Sequence, residues 1–361
     1  MTAGFVTSSH KLSMDAHLPV ELWTCILARV SIADISRVAS ASKTLSRVCG
    51  QNALWKLKCR DVGLHAPKAP LEALQKYQST KRMIRSSSIS TSLQLHSHGV
   101  SCFAIDGRYV YTGGWDGYIH QTHIADGHLE WSVKVSDGPI RAIALSNGRL
   151  VVGLAYAPFL SVWDVRYNKK VKLQNPFILD APMVSLATGA NFYACATVSR
   201  VITSLFEIQA IAIVQIQVIQ ESLFILQKSG RIKQVDSNGE HVADFYIEPN
   251  ALCFHVFDFY TFYSVVAGYK DGAVLVYTAR KGSEVKLVNE FTSSGGWTSS
   301  VAHKNGMILS ASWDGNIRVW DSSSGEMVLL NGPPSGILAM HVTDSATIIS
   351  GHYDGTLKYW S

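Results

Sequence analysis

Residues 311–321 read Ala-Ser-Trp-Asp-Gly-Asn-Ile-Arg-Val-Trp-Asp. The Asp-Gly pair predicts a tight turn between two strands, because glycine readily adopts the positive φ that such turns require. The aliphatic residues Ile317 and Val319 alternate with other residues after the turn, which is typical of a β-strand with one packed face. The tryptophan that ends the run, Trp320, is large enough to fill the outer part of a wedge-shaped sheet.

The same pattern recurs along the chain. Clear copies lie at 112–117, 267–277 and 350–360, and partial copies at 160–164 and 229–236, with the weakest near 199–205. The seven turns fall at positions 116, 157, 199, 229, 271, 314 and 354, a mean step of about 40 residues. Because about 40 residues make one four-stranded propeller blade, the spacing predicts an all-β, seven-bladed β-propeller over 89–361.

These motifs resemble the WD-repeat propeller family over about 270 residues. The chain departs from the family pattern in several places. The Gly-His pair that usually starts a blade is mostly absent, and the Trp-Asp pair stands at strand ends only at 163–164 and 320–321. The short step from 199 to 229 predicts that the third blade has a missing or very short outer strand, so six or eight blades remain alternatives to seven.

The end of the chain predicts how the ring closes. The last blade reaches Trp360 and Ser361 after only three strands, so a fourth strand must come from elsewhere. Residues 89–95, Ile-Ser-Thr-Ser-Leu-Gln-Leu, alternate as a strand does and precede the first blade. We expect them to complete the last blade, because ring closure removes the exposed strand edges on which other chains could pair.

A short helical segment precedes the repeats. After an expected disordered N-terminus at 1–14, residues 15–62 read as two or three short helices, with Pro19 suited to a first helical turn. Leu22, Ile26, Leu27 and Val30 follow the spacing of an amphipathic helix. So small a unit has little core of its own, and its apolar stripe is therefore expected to contact a partner.

The order Leu-Pro-x-Glu-Leu, Asp-Ile, Ser-x-Ser-Lys, Leu-Trp-Lys in this segment resembles the F-box. The resemblance implies docking to the adaptor subunit of an SCF-type ubiquitin ligase and, through it, to a cullin. The residues that it implies for adaptor binding are Leu18, Pro19, Leu22, Ile26, Ile35, Val38, Leu54 and Trp55. Leu45 stands where many F-boxes have tryptophan, which puts the strength of docking in doubt. The alternative is a helical hairpin that only packs on or caps the propeller.

Residues 63–88 are predicted to link the two parts. Pro67 and Pro70 mark a break, and a helix is expected from Leu71 to about Arg85.

The basic charge lies ahead of the repeats: residues 1–87 carry a net charge of +8, and residues 88–361 carry −3. The basic side chains of the front part are scattered over helix faces, so we expect a solvated surface and no nucleic-acid binding.

Composition argues against several functional classes. No run is apolar enough for a transmembrane helix, and residues 1–14 do not resemble a signal peptide. The six cysteines lie far apart, so neither a zinc site nor a disulfide framework is expected, and an intracellular location in cytoplasm or nucleus is the simpler interpretation. No catalytic motif is found, and the histidines imply no metal site or cofactor. We expect a non-catalytic protein without membrane contact.

The turns of the repeat predict a binding face on the propeller. Aromatic residues and cations stand beside the turn aspartates and in the loops that enter the blades, and these residue types dominate binding hot spots. The predicted substrate-binding residues are Trp115, Arg141, Tyr269, Lys270, Trp297, Trp313, His352 and Tyr353. The aromatic residues could instead be packing residues of the repeat. The two resemblances together imply a substrate receptor of a cullin-based ubiquitin ligase, and the alternative is a WD-repeat scaffold or assembly protein without a role in ubiquitin transfer.

Overall fold

The computed structural model describes residues 19–30, 35, 38–40, 43–61, 69–166, 171–189, 192–258, 262–280, 285–292 and 296–361. The chain divides into two compact units, Met1–Gln78 and Ser79–Ser361. The division falls inside one helix, α4. The expected disordered segment at 1–14, the docking residue Leu18 and the linker residues 63–68 lie outside the described residues.

The described part of the first unit is helical. Its elements are α1 Val20–Ala28, α2 Lys43–Cys49, α3 Asn52–Asp61 and the first half of α4 Pro70–Ser86. Helix α1 packs on α2 and α3. Leu27, Val48 and Leu54 are almost completely buried. The Lys58 ammonium donates to the Ala28 carbonyl oxygen and so caps the end of α1.

The second unit is a ring of seven four-stranded antiparallel sheets. The strands are β1 Ile89–Gln94, β2 Val100–Asp106, β3 Tyr109–Gly114, β4 Tyr118–His123, β5 Leu129–Lys134, β6 Ile140–Ser146, β7 Arg149–Leu154, β8 Phe159–Asp164, β9 Val171–Ile178, β10 Ser185–Thr188, β11 Tyr193–Ala196, β12 Arg200–Thr203, β13 Glu207–Gln209, β14 Ile213–Ile219, β15 Ser222–Gln227, β16 Arg231–Val235, β17 His241–Tyr246, β18 Cys253–Asp258, β19 Phe262–Gly268, β20 Val274–Arg280, β21 Val285–Phe291, β22 Thr298–Lys304, β23 Met307–Ser312, β24 Ile317–Asp321, β25 Met327–Leu330, β26 Ile337–Val342, β27 Ile348–His352 and β28 Thr356–Trp360. The prediction of an all-β, seven-bladed propeller is confirmed.

Blades 1 to 6 use consecutive strands, from β2–β5 to β22–β25. Blade 7 combines β26, β27 and β28 with β1, and Leu93 of β1 lies opposite Leu357 of β28. The first strands of neighbouring blades contact one another, and β2 also contacts β26, which brings blade 7 against blade 1. The outer strand of blade 3, β13, is present but has only three residues.

Buried side chains lie mainly between blades. Tyr111 and Trp131 of blade 1, for example, belong to one apolar cluster with Leu150 and Trp163 of blade 2. Polar side chains also join blades 4 and 5: Gln217 accepts a hydrogen bond from the Val256 N–H at 2.8 Å and donates to its carbonyl oxygen at 3.2 Å. Gln215 likewise accepts a hydrogen bond from the Phe254 N–H at 2.9 Å, so two glutamines of β14 bind the backbone of the next blade.

Candidate functional site

The turns between the second and third strands of blades 1, 5, 6 and 7 share one geometry. In each, an aspartate carboxylate accepts a hydrogen bond from the backbone N–H two residues later, at 3.0–3.1 Å. The glycine that follows has φ between +78° and +86°. A Cβ on Gly117 would lie 1.9 Å from the Ser136 carbonyl oxygen, so the turn packs directly on the neighbouring loop. The residue before each aspartate is thereby held in a fixed position.

Three residues held in this way, Trp115, Tyr353 and Trp313, form a line of aromatic rings with Trp297, which directly precedes β22. We call these four residues the aromatic row. Successive ring centroids along the row lie 5.3, 6.0 and 6.1 Å apart. Tyr353, Trp313 and Trp297 are 51%, 44% and 48% exposed. Trp115 is half-buried. Exposed tryptophan and tyrosine side chains in contact with one another offer a large rigid apolar surface of the kind found in binding hot spots.

Two cavities open beside the aromatic row. The first, of about 470 Å³, is lined by Trp115, Arg141, Trp297 and Trp313 together with residues of the innermost strands. The second, of about 390 Å³, lies between Trp313 and Tyr353 and is lined by the turn residues 333–336 and by Asp354. We call the second cavity the Trp313–Tyr353 slot. The face therefore offers both a central depression and a side slot.

The cations predicted for this face lie on it in two different settings. The Lys270 ammonium lies 4.7 Å from the centroid of the Trp297 ring, within the range of a cation–π interaction. The Arg141 side chain is exposed, and its Nε donates to the Val184 carbonyl oxygen at 3.3 Å. The structure thus brings six of the eight predicted residues together on or beside the aromatic row.

Tyr269 and His352 are the exceptions, because both side chains are buried. The Tyr269 hydroxyl donates to the Glu248 carbonyl oxygen at 2.9 Å. The His352 ring lies within hydrogen-bond distance of the Ser350 hydroxyl at 2.9 Å and of the Ser335 carbonyl oxygen at 3.1 Å. Burial lowers the pKa of His352 to about 4. These two residues support the turns from beneath and present no surface to a partner.

A buried polar cluster lies under the turn of blade 1. The His96 ring contacts the Asp116 carboxylate through Nδ1 at 2.9 Å and the Thr112 hydroxyl through Nε2 at 2.9 Å. Burial lowers the pKa of His96. Burial alone would raise the pKa of Asp116, but the contacts with His96 and with the Tyr118 and Ser97 N–H groups together bring it below its usual value. An ionised carboxylate only accepts, so Nδ1 carries the proton and Nε2 accepts from Thr112.

His120 completes this cluster, with its ring centroid 4.4 Å from that of His96. Burial, with a contribution from His96, lowers the pKa of His120 to about 4. Ligand atoms of His96, Asp116 and His120 lie within 4.8 Å of one another, a spacing that could hold a metal ion. Both His96 nitrogens are already in hydrogen bonds, however, so the arrangement fits a structural network better. The sequence did not indicate this contact, because His96 lies in the loop before β2 and His120 lies in β4.

The helical unit distributes its predicted docking residues over two environments. Leu22 and Ile26 lie one turn apart on α1 and are 49% and 44% exposed. Pro19 is also exposed, and Val38 is half-buried. Three further residues are buried inside the unit and support its helices: Ile35, Leu54 and Trp55. The Trp55 indole N–H donates to the Cys49 carbonyl oxygen at 2.7 Å.

Comparison with known proteins bears on the second unit. The family model "WD domain, G-beta repeat" matches residues 87–121 and 285–321. No F-box model matches the helical residues. No curated protein sequence matches significantly. Among the described residues, no helix combines the length and apolar character needed to cross a membrane.

Solved structures support the same fold. Among 1712 matching chains is the crystal structure of the computationally designed Ika8 protein. It superposes with a TM-score of 0.58 at 18% sequence identity and covers 76% of this chain and 99% of its own. At that identity the likeness concerns the fold alone. The chain thus contains WD40 repeats, and its second unit is a seven-bladed β-propeller.

Proposed function

We propose that this protein is a non-catalytic binding subunit that brings a partner held on the propeller to a second protein bound by the helical unit. WD40 propellers point to protein–protein interaction, and the aromatic row is the observation that carries the proposal here. Three exposed aromatic rings in a continuous line expose apolar surface to water, which a protein partner would cover.

We further propose that the second protein is the adaptor subunit of an SCF-type, cullin-based ubiquitin ligase. The F-box resemblance of the helical unit suggests this partner, and the exposed pair Leu22 and Ile26 supports it, because two apolar side chains one turn apart form a stripe that a partner could cover. The mechanism would be proximity: a substrate held on the propeller is kept near a ubiquitin-loaded enzyme, which raises its effective concentration.

Co-purification with the purified adaptor subunit tests this role. We expect the intact chain to form a complex that is lost in the double variant Leu22→Glu, Ile26→Glu, because two charges would replace the exposed apolar stripe. Lys56→Glu is the matched control: Lys56 is exposed on α3, and its substitution changes the net charge by the same −2. Circular dichroism should show unchanged helix content in both variants.

Absence of a complex with the intact chain would instead favour a WD-repeat scaffold that takes no part in ubiquitin transfer. The propeller face is tested separately. The triple variant Trp115→Ala, Trp313→Ala, Tyr353→Ala should lose cross-linked cellular partners, whereas Tyr246→Ala, which truncates an exposed tyrosine on an outer strand, should retain them. Equal partner recovery from both variants would remove the aromatic row from the proposal.

A further inference from the structure

The Trp313–Tyr353 slot has walls of two chemical kinds. Two exposed aromatic rings stand with their centroids 6.0 Å apart, inclined at 50°. Pro333 and Pro334 add a rigid apolar surface, and Asp354 supplies a carboxylate. The cavity of about 390 Å³ suits one long side chain better than a folded element.

Asp354 differs from two other turn aspartates in what its carboxylate contacts. Asp116 is engaged through both oxygens by His96 and the Ser97 N–H, and Asp314 is engaged through both by Arg318 and the Asn316 N–H. In Asp354, the hydrogen bonds found among the described residues all reach Oδ1, from the Thr356 N–H at 3.0 Å and the Thr356 hydroxyl at 2.6 Å. The second oxygen is open to an incoming donor.

The residue that could neutralise Asp354 within blade 7 does not reach it. Lys358 occupies the position at which Arg318 pairs with Asp314 in blade 6. Lys358 is buried, and no ion pair between Lys358 and Asp354 is found among the described residues. Asp354 itself is exposed. The slot therefore presents, next to two aromatic rings, a carboxylate that makes no direct ion pair among the described residues, although the more distant charge of Lys358 helps to lower its pKa.

The same face already holds a cation on an aromatic ring. Lys270 lies over Trp297, the neighbour of Trp313 in the aromatic row. The Trp297–Lys270 pair uses a cation from this chain, whereas Trp313 and Tyr353 have exposed rings and a carboxylate but no cation over them among the described contacts. The middle of the aromatic row, at the slot, thus offers the rings and the carboxylate of such an interaction but not the cation.

We propose that the Trp313–Tyr353 slot binds an arginine side chain of the partner protein. This inference rests on the proposed function, in which the propeller face binds a protein. A planar guanidinium can stack on an aromatic ring while its N–H groups reach a carboxylate, and it is less strongly hydrated than an ammonium. An acidic or phosphorylated side chain would face Asp354 with like charge, and an aliphatic one would leave that carboxylate oxygen covered without a donor.

A peptide selection on the intact chain tests the proposal. A random peptide library displayed on phage is selected against the immobilised protein, and the peptides recovered are labelled and measured by fluorescence polarisation. We expect them to share an arginine. Its replacement by citrulline, which keeps the shape and removes the charge, should weaken binding by about tenfold or more.

Variants of the protein locate the effect. Asp354→Asn keeps the Oδ1 acceptor of the turn but removes the charge, and it should weaken the arginine peptide by a similar factor. Asp271→Asn makes the same change in the turn of blade 5, where Oδ1 likewise accepts a backbone N–H, and it should have no effect. Exchange of the peptide arginine for lysine should give intermediate affinity.

Several outcomes would overturn the inference. Failure to recover any peptide, recovery of peptides without a common arginine, equal affinity of Asp354→Asn, and equal affinity of the lysine peptide each contradict an arginine slot. If the arginine peptides bind unaltered to Asp354→Asn but not to the triple variant of the aromatic row, the face binds proteins and only the assignment of the slot fails. Adaptor co-purification is unaffected by any of these results and tests the proposed function independently.

Discussion

Two buried histidines should make the propeller sensitive to mild acid. His352 is fully buried and His120 is 8% exposed. Burial lowers the pKa of each from 6.5 to about 4. Between about pH 4 and pH 6.5, both histidines are protonated in the unfolded chain and neutral in the folded chain. The stability of the fold is therefore retained above about pH 6.5 and is lost progressively as the pH falls towards 4.

The expected size of this effect follows from the linkage relation. Each such histidine lowers the free energy of unfolding by about 1.4 kcal/mol per pH unit inside the window. The two together give a loss of about 3 kcal/mol between pH 6.5 and pH 5, because the unfolded histidines are only half protonated at pH 6.5. Asp116 does not contribute there, because its pKa lies below the usual value and it titrates at lower pH. His96 has a lowered pKa as well and acts in the same direction.

Urea unfolding monitored by tryptophan fluorescence at several pH values between 7.5 and 5 measures the effect. His352→Gln should be less stable at pH 7.5 by about 1–3 kcal/mol, because the ring loses its contacts with the Ser350 hydroxyl and the Ser335 carbonyl. Its dependence on pH should be flatter by about 1.4 kcal/mol per unit. His98→Gln, at an exposed position, is the control and should keep the wild-type slope. Equal stability at pH 6.5 and 5, or a full slope in His352→Gln, would refute the reasoning.

Three further predictions concern the closed ring. Trp360→Ala should cost about 3–5 kcal/mol, because the side chain is buried and its N–H donates to the Ser350 hydroxyl at 2.9 Å; a thermal midpoint within a degree or so of the wild type would contradict this. Gly355→Ala should destabilise the fold by about 1–3 kcal/mol, since φ is +86° and the new Cβ would meet the His96 carbonyl oxygen at 2.1 Å; chemical denaturation measures it, and Gly325→Ala, where no atom lies within 4 Å, isolates the cost of positive φ alone. Deletion of β1 should leave β28 as an open edge and produce aggregates in size-exclusion chromatography; a monomeric product would argue against closure by this strand.

The seven-bladed fold could be predicted because its signal is local and repeated. Each Asp-Gly turn is specified by the aspartate carboxylate and by a glycine with positive φ, both within three residues, and the step of about 40 residues then counts the blades. The polar cluster could not be predicted in this way. Strands β2 and β3 lie between His96 and His120 in the chain, and the contact of the two rings depends on the pairing of β3 with β4 and on the packing of the loop at 96–99.

In the candidate site, too, the sequence could not predict which individual side chains are exposed and which are buried. Lys270 and Tyr269 are adjacent and both suit a binding surface by residue type, yet one is exposed and the other donates a hydrogen bond to a carbonyl 21 residues earlier in the chain. Residue type alone could not predict which of the two is exposed, because this depends on which side of the turn backbone faces the neighbouring blade. His352 and Tyr353 divide in the same manner.

Buried and exposed residues follow a regular pattern in these turns, and this pattern bears on partner recognition. In the four Asp-Gly turns, the residue two positions before the aspartate is buried: Gly114, Tyr269, Ser312 and His352. The residue immediately before it is exposed or half-buried: Trp115, Lys270, Trp313 and Tyr353. In blade 4 the exposed Lys228 stands at the corresponding place before a Ser-Gly turn. In these five blades one position therefore contributes a side chain to the face: lysine in blades 4 and 5, and an aromatic ring in blades 6, 7 and 1. A partner that inserts an arginine between Trp313 and Tyr353 would thus gain further if it also placed an acidic group near Lys228 and Lys270, because these exposed ammonium groups attract negative charge.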